Sequence, residues 1–428
     1  MSTAPRTIAQ WLAWQESLHC SEIDMTLHRV QEVASRLDLL SPKSLVITVA
    51  GTNGKGSTIA LFESILLAAG YRVGAYTSPH LLHYNERVRI QGENVSDQTF
   101  CQAFESIEQV RGDTSLTYFE FGTLAALQIL QQAELDVMLL EVGLGGRLDA
   151  VNIVDPDLAV ITSIGLDHTD WLGPDRESIG REKAGIMRSG IPVVCGDPSP
   201  PKSLLAHAQQ LGAPLYCIGK AFDYQIDQQG WRWKHASGQR SGLPNPRLKG
   251  RAQFNNASSV LMGLDVLKTR LPVNQRDVRI GLSQASLMGR FQILANEPLV
   301  VVDVAHNAQA ARSLAEALKA QPRPGKTYAV FSLLKDKEIA PILNEIYSIV
   351  DVWHVAGLED VPRGQSMLQM LQRIEQTSLD LPGLSGHKDV RSALEAVLAQ
   401  AEALDTVVIF GSFYVVAEVL KGRIMGLG

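Results

Sequence analysis

A glycine-rich segment with one lysine is the clearest candidate for chemistry in this sequence. It reads G-T-N-G-K-G-S at residues 51–57, and its lysine is Lys55. Glycines allow backbone N–H groups to approach a polyphosphate, and a helix that begins there adds partial positive charge. Lys55 would then bridge the β- and γ-phosphates, with Ser57 or Thr58 near a Mg²⁺ ion. The segment is therefore a candidate nucleotide site.

The strict phosphate-loop pattern G-x-x-x-x-G-K-[ST] is not met here. Gly56 separates the lysine from the serine, and Val49 stands where the first glycine is required. The context nevertheless favours phosphate binding, because a strand predicted over Leu45–Val49 precedes the loop and a helix predicted over about Ser57–Ala69 follows it. A glycine-rich turn without a ligand is the alternative.

Ser78, Glu141 and His168 each lie near the carboxyl end of a predicted strand, where open α/β sheets bind their ligands. A buried carboxylate costs several kcal/mol unless it is compensated, so Glu141 requires a metal ion or a cation. A salt bridge to Arg147 is the alternative for Glu141. His168 alone is equally typical of a loop histidine that caps a turn, but a nucleotide, Ser78 and Glu141 at the same edge favour a metal role.

Lys183 lies in the helical segment E-S-I-G-R-E-K-A-G-I-M. Composition and spacing by themselves favour an exposed lysine on a solvated helix face. No chemistry can be derived for it from its neighbours alone.

The elements that must position these residues follow a βαβ rhythm from Leu45 onward, since short aliphatic runs alternate with helix-length segments. This rhythm predicts an α/β fold with a doubly wound, mostly parallel sheet. The strands predicted in the first part span Leu45–Val49, Tyr71–Thr77, Asp136–Val142, Leu158–Ile164 and Ile191–Cys195.

A second, smaller α/β series begins near Met288. Its predicted strands span Leu299–Val304, Thr327–Leu333, Asp351–Val355 and Thr406–Gly411, with helices over Ala308–Ala320 and Arg391–Ala403. At about 150 residues per domain, 428 residues predict two or three domains. We predict two, over residues 1–287 and 288–428.

A small antiparallel insert is predicted between residues 215 and 249. Apolar and polar residues alternate on both sides of a turn at Gln229-Gly230, with Trp231 and Trp233 on the returning strand. Cross-strand packing accounts for this aromatic pair more simply than a ligand shelf does.

Composition excludes several classes of protein. Lys+Arg 39 against Asp+Glu 45 gives a net charge of −6 without a basic block, so neither nucleic acid nor an anionic membrane is an expected partner. The 4 cysteines are widely spaced, which favours a reducing compartment. No signal peptide or membrane span is evident, so we expect a cytoplasmic protein, with a monomer as the default state.

Eight segments together closely resemble the folylpolyglutamate synthase family of the Mur ligase superfamily, and its bacterial bifunctional members in particular. They are A-G-T-N-G-K-G-S (50–57), T-S-P-H-L (77–81), T-Y-F-E-F-G-T (117–123), E-V-G-L-G-G-R-L-D-A (141–150), L-D-H-T-D-W-L-G (166–173), G-R-E-K-A-G-I (180–186), G-R-F-Q (289–292) and D-V-A-H-N (303–307).

The resemblance implies an ATP-dependent amide ligase. ATP would phosphorylate a carboxylate, and L-glutamate would attack the acyl phosphate, leaving an amide, ADP and phosphate. The carboxylate would belong to 7,8-dihydropteroate or to a reduced folate. Residues 1–287 would form the P-loop, Mur-ligase-like central domain, and residues 288–428 a Rossmann-like glutamate-ligase domain, with ATP between them.

The resemblance also implies roles for individual residues around ATP. Lys55, Lys183 and His306 would be catalytic, with Lys183 N-carboxylated. Ser78, Glu141 and His168 would hold two Mg²⁺ ions, for which Mn²⁺ can substitute. The nucleotide contacts would be Thr52, Asn53, Gly54, Lys55, Gly56, Ser57, Asn256, Arg290 and Asp303.

Three further segments would contact the pterin substrate by the same resemblance. The first departs from the family pattern D-x-G-L-E-R at Thr26 and His28. Phe119 is also typical of a core residue. The implied contacts are Asp24, Met25, Thr26 and Leu27, then Thr117, Tyr118, Phe119 and Glu120, and finally Leu148, Asp149 and Ala150.

Other functions account for fewer of these residues. A plain P-loop NTPase or kinase gives no role to Lys183, His168 or D-V-A-H-N, and a binding module without catalysis would not need Lys55 and Glu141. A Mur-type UDP-muramoyl amino acid ligase is the nearest alternative. The segments T-Y-F-E-F-G-T and L-D-H-T-D-W-L-G favour the folate branch.

Overall fold

The computed structural model describes residues 6–227, 230–236 and 238–422. The chain divides into two compact units. The first holds the residues up to Arg247 together with Phe254–Ser286, and the second holds Leu248–Gln253 and the residues from Leu287 onward. None of the helices within the described ranges is both long and apolar enough to cross a membrane.

A mostly parallel sheet forms the centre of the first unit. Its described strands are β1 (Leu45–Ala50), β2 (Val73–Tyr76), β3 (Val88–Ile90), β4 (Glu93–Asn94), β5 (Val137–Glu141), β6 (Leu158–Ile161), β7 (Val193–Cys195) and β8 (Leu215–Cys217). They follow the order 4-3-2-5-1-6-7-8, with β1 between β5 and β6, and β3 and β4 extend one edge as an antiparallel pair. The predicted doubly wound sheet is thereby confirmed.

Ten helices are present in the described part of this unit and surround the sheet. They are α1 (Ile8–Glu16), α2 (His28–Arg36), α3 (Lys55–Ala68), α4 (Asp97–Arg111), α5 (Tyr118–Gln132), α6 (Thr169–Leu172), α7 (Arg176–Ala184), α8 (Lys202–Leu211), α9 (Ala252–Val266) and α10 (Gln275–Gln284). Short 3₁₀ turns occupy Tyr84–Arg87 and Ala150–Ile153.

Helix α3 follows the glycine-rich loop and is buried along most of its length. It packs closely on α10 at Gly281, where an added Cβ would lie 2.5 Å from the Cα of Ile65. Burial of several apolar side chains at about 25 cal/mol per Å² holds the helix in place. The start of α3, at the candidate nucleotide site, therefore belongs to a firmly packed helix.

The antiparallel insert forms a three-stranded sheet of β9 (Phe222–Asp227), β10 (Gly230–His235) and β11 (Gly238–Leu243). The predicted hairpin is confirmed, although Gln229 of its turn lies outside the described residues, and β11 was not predicted. Trp231 and Trp233 are each 1% exposed. The indole of Trp231 packs edge-on against Phe254 at 5.6 Å, so the aromatic pair packs the sheet rather than a ligand.

The second unit holds a six-stranded sheet in its described part, in the order 12-13-17-14-15-16, with β12 antiparallel to the rest. All four predicted strands form. The strands are β12 (Gln292–Asn296), β13 (Leu299–Asp303), β14 (Thr327–Phe331), β15 (Val352–Ala356), β16 (Ser385–His387) and β17 (Thr406–Phe410). The helices are α11 (Ala308–Lys319), α12 (Ile339–Ile346), α13 (Met367–Glu375), α14 (Val390–Leu398) and α15 (Phe413–Lys421), with a 3₁₀ turn at Tyr347–Ile349.

Candidate active site

The glycine-rich loop turns between β1 and α3 as the sequence predicted, and α3 begins at Lys55, two residues earlier than expected. Gly54 stands before the helix with a φ of 92°, a left-handed conformation that favours glycine. An added Cβ at Gly54 would lie 2.7 Å from Oδ1 of Asn256. The amide of Asn256, on α9, thus packs directly on the loop.

The loop is held by the chain that follows β6. The backbone N–H of Thr52 donates to the carbonyl of Ser163 at 2.7 Å, and Oγ1 of Thr162 donates to the carbonyl of Asn53 at 2.7 Å. Gly51 approaches Thr162 so closely that an added Cβ would lie 1.7 Å from its Oγ1. The N–H groups of the loop are therefore positioned before any ligand arrives.

Two lysines meet at one carbonyl oxygen of this loop. Nζ of Lys55 and Nζ of Lys183 each donate to the carbonyl of Gly51 at 3.0 Å. Lys183 is only 3% exposed, so the expectation of a solvated lysine is wrong. The structure brings two of the predicted catalytic residues together, although 128 positions separate them in the sequence.

The electrostatics around Lys183 favour its neutral form. Burial, with a further contribution from the charge of Lys55, lowers the pKa of Lys183 from 10.5 to about 7. The carboxylates of Asp167 and Asp149 act in the opposite direction. A neutral amine is a nucleophile, so a large fraction of Lys183 is available for covalent chemistry at neutral pH.

Helix α7 carries Lys183 to this position because another loop packs tightly on it. An added Cβ at Gly146 would lie 2.7 Å from the carbonyl oxygen of Glu182, and the N–H of Arg147 donates to that same oxygen at 2.8 Å. The side chain of Arg147 also pairs with Glu182 at 2.8 Å. The arginine that was the alternative partner of Glu141 therefore supports α7.

Glu141 ends β5 beside Val49 of β1 and is 5% exposed. The backbone N–H of Ser78, which follows β2, donates to Oε2 of Glu141 at 3.3 Å. Two of the predicted metal ligands are thus adjacent at the carboxyl end of the sheet. A buried carboxylate beside a hydroxyl provides oxygen donors of the kind that Mg²⁺ prefers.

His168 precedes α6 in a left-handed conformation with a φ of 51°. Its backbone N–H donates to Oδ1 of Asp167 at 2.9 Å, and its Nε2 lies 3.8 Å from that oxygen. In the described ranges, no three His, Cys, Asp or Glu side chains are grouped closely enough to hold a metal ion. The predicted ligand set of Ser78, Glu141 and His168 relies on a hydroxyl and stays a prediction.

The first two predicted pterin segments are joined by an arginine that was not predicted. Arg29 donates to Oδ2 of Asp24 at 2.7 Å, to Oγ1 of Thr26 at 3.0 Å and to Oε1 of Glu120 at 3.0 Å. Glu120 and Thr117 in turn cap the start of α5 reciprocally. Arg29 therefore ties residues 24–27 to the first turn of α5.

Phe119 and Asp149 both contact the turn after β5. The ring of Phe119 rests on Gly143, where an added Cβ would lie 2.4 Å from Cζ, and it stacks near Tyr76 at 6.3 Å. Asp149 is 4% exposed and accepts hydrogen bonds from the N–H groups of Leu144 and Val151. Burial raises the pKa of Asp149 to about 6, against the opposing effect of those bonds.

The remaining residues of the pterin segments differ in burial and in the groups they contact. The guanidinium of the buried Arg87 lies over the ring of Tyr118, 5.6 Å from the centre of that ring. Met25 and Leu148 are partly buried, and Ala150 is buried. Leu27 stands before α2 and packs on the core of the first unit.

The second unit holds two predicted nucleotide residues, Arg290 and Asp303, and the predicted catalytic residue His306. Asp303 ends β13, and its carboxylate accepts hydrogen bonds from the N–H groups of Phe291 and Ala305 at 2.7 and 2.8 Å. Burial raises the pKa of Asp303, while Arg290 acts against this shift. The guanidinium of Arg290 and the imidazole of His306 both lie near the ring of Phe413, at 5.2 and 6.0 Å.

Comparisons with known proteins show which family the chain belongs to. Two family models match, the Mur ligase middle domain over residues 49–229 and the Mur ligase, glutamate ligase domain over residues 289–413. The dihydrofolate synthase/folylpolyglutamate synthase of Escherichia coli (strain K12) is 48% identical over 419 residues, covering 98% of this chain and 96% of the relative. The chain belongs to the dihydrofolate synthase/folylpolyglutamate synthase family.

Solved structures support membership in the dihydrofolate synthase/folylpolyglutamate synthase family. E. coli FolC in complex with DHPP and ADP matches with a TM-score of 0.93 at 47% identity, covering 99% of both chains. The Yersinia pestis enzyme complexed with AMPPNP and Mn ion matches with a TM-score of 0.90 at 48% identity, also covering 99% of both chains. The predicted two-part α/β fold is confirmed.

As a member of this family the chain is an ATP-dependent glutamate ligase, so the predicted enzyme class is confirmed. The relatives are dihydrofolate synthase/folylpolyglutamate synthase enzymes, and a UDP-muramoyl amino acid ligase is not favoured. Arg29 and Asp167 were missed as site residues. Arg29 had one signal, since it occupies the arginine position of the family pattern D-x-G-L-E-R.

Proposed function

We propose that this chain adds L-glutamate to 7,8-dihydropteroate and to reduced folates through an acyl-phosphate intermediate. The observation that carries the proposal is the meeting of Lys55 and the buried Lys183 at the carbonyl of Gly51. A lysine for the transferring phosphoryl group and an amine suited to carboxylation then meet at one preorganised loop. The relatives indicate the substrates, because one solved structure is a complex with DHPP and ADP and another has Mn, AMPPNP and L-glutamate bound.

The phosphate loop would bind the triphosphate of ATP through residues 52–57. Lys55 would leave the carbonyl oxygens of Gly51 and Thr52, to which it donates at 3.0 and 3.3 Å, and turn to the phosphates. A phosphate attracts Lys55 more strongly than the two carbonyl groups do, because the phosphate carries a full negative charge. Asn256 would contact the nucleotide from its place against Gly54.

The second unit would supply further nucleotide contacts. Asp303 would accept from the ribose, Arg290 would complete the nucleotide site, and His306 would lie near the phosphates. The hydrogen bonds from Phe291 and Ala305 hold the carboxylate of Asp303, and the contact between Nδ1 of His306 and the carbonyl of Val304 at 2.7 Å orients the imidazole. We further propose that residues 1–287 and 288–428 act as the ATP-binding and glutamate-ligase domains.

Ser78, Glu141 and His168 would hold two Mg²⁺ ions against the phosphates. Bound there, the ions neutralise phosphate charge and orient the transferring group. The oxygen atoms of Ser78 and Glu141 suit Mg²⁺, whereas an imidazole nitrogen suits Mn²⁺ better. Two of the matching crystal structures contain Mn, which fits this mixed donor set.

We expect His168→Ala to raise the Mg²⁺ concentration needed for half-maximal activity by about tenfold, a typical cost of weakening a metal site. Steady-state rates over a Mg²⁺ titration measure this, with His207→Ala on α8 as the matched control. A titration identical to that of the unchanged protein would show that His168 only caps the turn before α6.

Lys183 would react with CO₂, with loss of one proton, to give an N-carboxylated side chain. The reaction needs the neutral amine, and the lowered pKa of Lys183 makes that form available near pH 7. The product is an anionic oxygen donor beside the phosphate loop. The negative charge of this group would attract Lys55, whereas a protonated Lys183 would repel it.

The three pterin segments would bind the folate or dihydropteroate ring, with Asp149 and Phe119 at the turn after β5. The buried carboxylate of Asp149 suits the amino and ring N–H donors of a pterin. Arg29 would not touch the ring. It would hold Asp24 and Glu120 at the spacing that binding requires.

Arg29→Lys should raise the KM for 7,8-dihydropteroate by about tenfold, because a lysine cannot hold two carboxylates with one planar group. The KM for ATP should stay unchanged. The measurement is a pair of saturation curves, one for each substrate, with Arg36→Lys on the same helix as the control. An equal rise in both KM values would instead indicate a general loss of structure.

The test of the proposed function is phosphate release from ATP with L-glutamate and Mg²⁺, together with the mass of each product. The acceptors are 7,8-dihydropteroate, tetrahydrofolate and a UDP-muramoyl substrate. Gain of one glutamate by both pterins would support the proposal. Turnover of tetrahydrofolate alone would leave only the polyglutamylating activity, and turnover of the muramoyl substrate alone would overturn it.

We also propose that the enzyme acts as a monomer in the cytoplasm. All four cysteines of the sequence lie among the described residues, and each is a free thiol, which fits a reducing compartment. Light scattering of the purified protein tests the monomer, and a mass near twice 46.7 kDa would contradict it.

A further inference from the structure

Thr52 of the phosphate loop is held by the residues that follow β6. The N–H of Thr52 donates to the carbonyl of Ser163 at 2.7 Å, and the N–H of Gly165 donates to Oγ1 of Thr52 at 3.0 Å. The hydroxyl of Thr52 in turn donates to the carbonyl of Gly165 at 3.1 Å. Residues 163–165 therefore fix both the backbone and the side chain of Thr52.

Ile164, the residue between these two, is held by an ion pair. The N–H of Ile164 donates to Oδ2 of Asp197 at 2.7 Å, and the carbonyl of Ile164 accepts from Nε of Arg176 at 2.9 Å. Nη2 of Arg176 lies 3.0 Å from Oδ2 of Asp197. The Arg176–Asp197 pair thus binds both backbone groups of Ile164.

The contacts of Thr52 and those of the ion pair act on the same two peptide groups. The N–H of Ile164 shares one peptide group with the carbonyl of Ser163, and the carbonyl of Ile164 shares the next with the N–H of Gly165. Both bonds are trans. A trans peptide group is planar and rigid, and its N–H and carbonyl point in opposite directions. By fixing Ile164 from one side, the ion pair therefore fixes the two groups that hold Thr52 on the other.

Asp197 is a buried carboxylate at the carboxyl end of β7. It is 3% exposed, and it accepts from the N–H groups of Ile164 and Ser199 at 2.7 and 2.8 Å. A carboxylate buried without such partners would be costly. Arg176 also donates to the carbonyl of Ser199 at 3.0 Å. The ion pair therefore joins the loop after β7 to the loop after β6.

Helix α7, which carries Arg176, contacts the phosphate loop at a second place. Arg176 is the first residue of this helix, and Lys183 follows it by seven residues. Seven residues make about two turns, so the two side chains lie on the same face. Lys183 donates to the carbonyl of Gly51, the residue before Thr52, at 3.0 Å. One helix therefore holds the proposed reactive amine and, through Ile164, also positions Thr52.

We propose that Arg176 and Asp197 are positioning residues for ATP, which hold Thr52 where the phosphate loop can bind the triphosphate. Neither residue touches ATP. The inference rests on the proposed nucleotide role of residues 52–57, but it does not depend on the identity of the acceptor. Hydrogen bonds in a chain polarise one another, so loss of the ion pair weakens the contacts at Thr52 as well as those at Ile164.

A second ion pair, at the other end of β6, provides a matched control. Asp157 lies just before β6, accepts from the N–H of Val46 on β1 at 2.8 Å and pairs with Arg270 at 2.6 Å. Its chemistry is therefore the same, an arginine on a carboxylate that accepts a backbone N–H of the sheet. Because it lies at the amino end of the strand, it does not contact the loops that hold Thr52. General destabilisation would affect both pairs alike.

The main variants are Arg176→Lys and Asp197→Asn, and their controls are Arg270→Lys and Asp157→Asn, all in the full chain. The Kd for AMPPNP with Mg²⁺ is measured by isothermal titration calorimetry without an acceptor. We expect it to rise about tenfold in the main variants, because a lysine lacks the planar group that reaches several partners and an asparagine lacks the charge. The Kd should stay unchanged in the controls. Thermal melting shows that each variant is folded.

Hydrogen exchange gives a second readout, which needs no ligand. It is followed by mass spectrometry on peptides that contain Thr52 or Gly165, whose N–H groups are hydrogen-bonded in this network. Exchange reports local opening of such bonds. We expect faster exchange in these peptides for Arg176→Lys and unchanged exchange for Arg270→Lys.

Two results would overturn the proposal. One is an AMPPNP Kd in Arg176→Lys and Asp197→Asn equal to that of the unchanged protein, and the other is an equal rise in Arg270→Lys. Absence of AMPPNP binding in the unchanged protein would contradict the nucleotide role of the loop, and this proposal with it. The expected Kd pattern without turnover of a pterin would support the positioning role and contradict only the proposed acceptors.

Discussion

Lys183→Ala is expected to abolish ligation while the protein still folds. The loss should be about 10³-fold or more in kcat, because the variant removes the proposed anionic oxygen donor beside the phosphate loop, where phosphoryl transfer depends on position and charge. Rates of phosphate release from ATP with L-glutamate and a pterin acceptor measure it. Arg181→Ala, an exposed position on the same helix, is the matched control and should keep normal turnover.

The same lysine predicts a dependence on CO₂ and pH. Its folded pKa is about 7, so the neutral amine that reacts with CO₂ becomes scarce as pH falls below 7, and activity should fall with it. Removal of CO₂ and bicarbonate should lower the rate, and added bicarbonate should restore it. Near-normal turnover of Lys183→Ala, or rates indifferent to CO₂, would remove carboxylation from the mechanism.

The lowered pKa of Lys183 can also be tested through the pH dependence of protein stability. The unfolded chain has its Lys183 pKa near 10.5, so between pH 7 and that value it binds a proton that the folded chain does not. Stability therefore rises with pH across this window. Lys183→Met, which keeps the volume of the stem, should remove that contribution without lowering Tm at pH 7.

Lys55→Ala is expected to be the second inactive variant. In phosphoryl transfer the protein contributes mainly position and charge, and loss of one cation at the transferring group costs about 10³-fold or more. Single-turnover formation of ADP measures the effect on the chemical step. Lys43→Ala, at an exposed lysine just before β1, is the control.

Lys55→Ala also tests the geometry at Gly51. Removing the charge of Lys55 should raise the pKa of Lys183, because that charge is one of the two causes that lower it. The pH below which CO₂ can no longer carboxylate Lys183 should consequently move upward. If ADP forms in Lys55→Ala at the normal rate, Lys55 does not act on the phosphoryl group.

Local sequence was sufficient to predict the strand, loop and helix around the site. β1 was predictable because buried parallel strands are typically aliphatic runs. The loop before α3 was predictable because its left-handed turn at Gly54 favours glycine. Elements with weaker patterns were missed, including β11, β12 and β16. β16, S-G-H, is too short to show any alternation.

The residues around the site were predictable to different degrees. Glu141 stood out because a carboxylate interrupts an aliphatic strand, and its position at a strand end indicated a ligand. Arg29 had only its place in the family pattern to indicate it, since one arginine in the first turn of a helix is otherwise ordinary. Its role became visible only when α5 brought Glu120 within 3.0 Å of it.

The sequence by itself determined the α/β class, the phosphate loop and, through its resemblance to a family, the ligase chemistry, because these depend on local patterns and on motifs of neighbouring residues. Only the tertiary structure decided the burial of Lys183 and the contact of Arg29 with Glu120. A pKa depends on burial and on charges that are distant in sequence, and a contact between side chains of two helices depends on how those helices pack. Neither quantity is encoded in the residues adjacent to the side chain concerned.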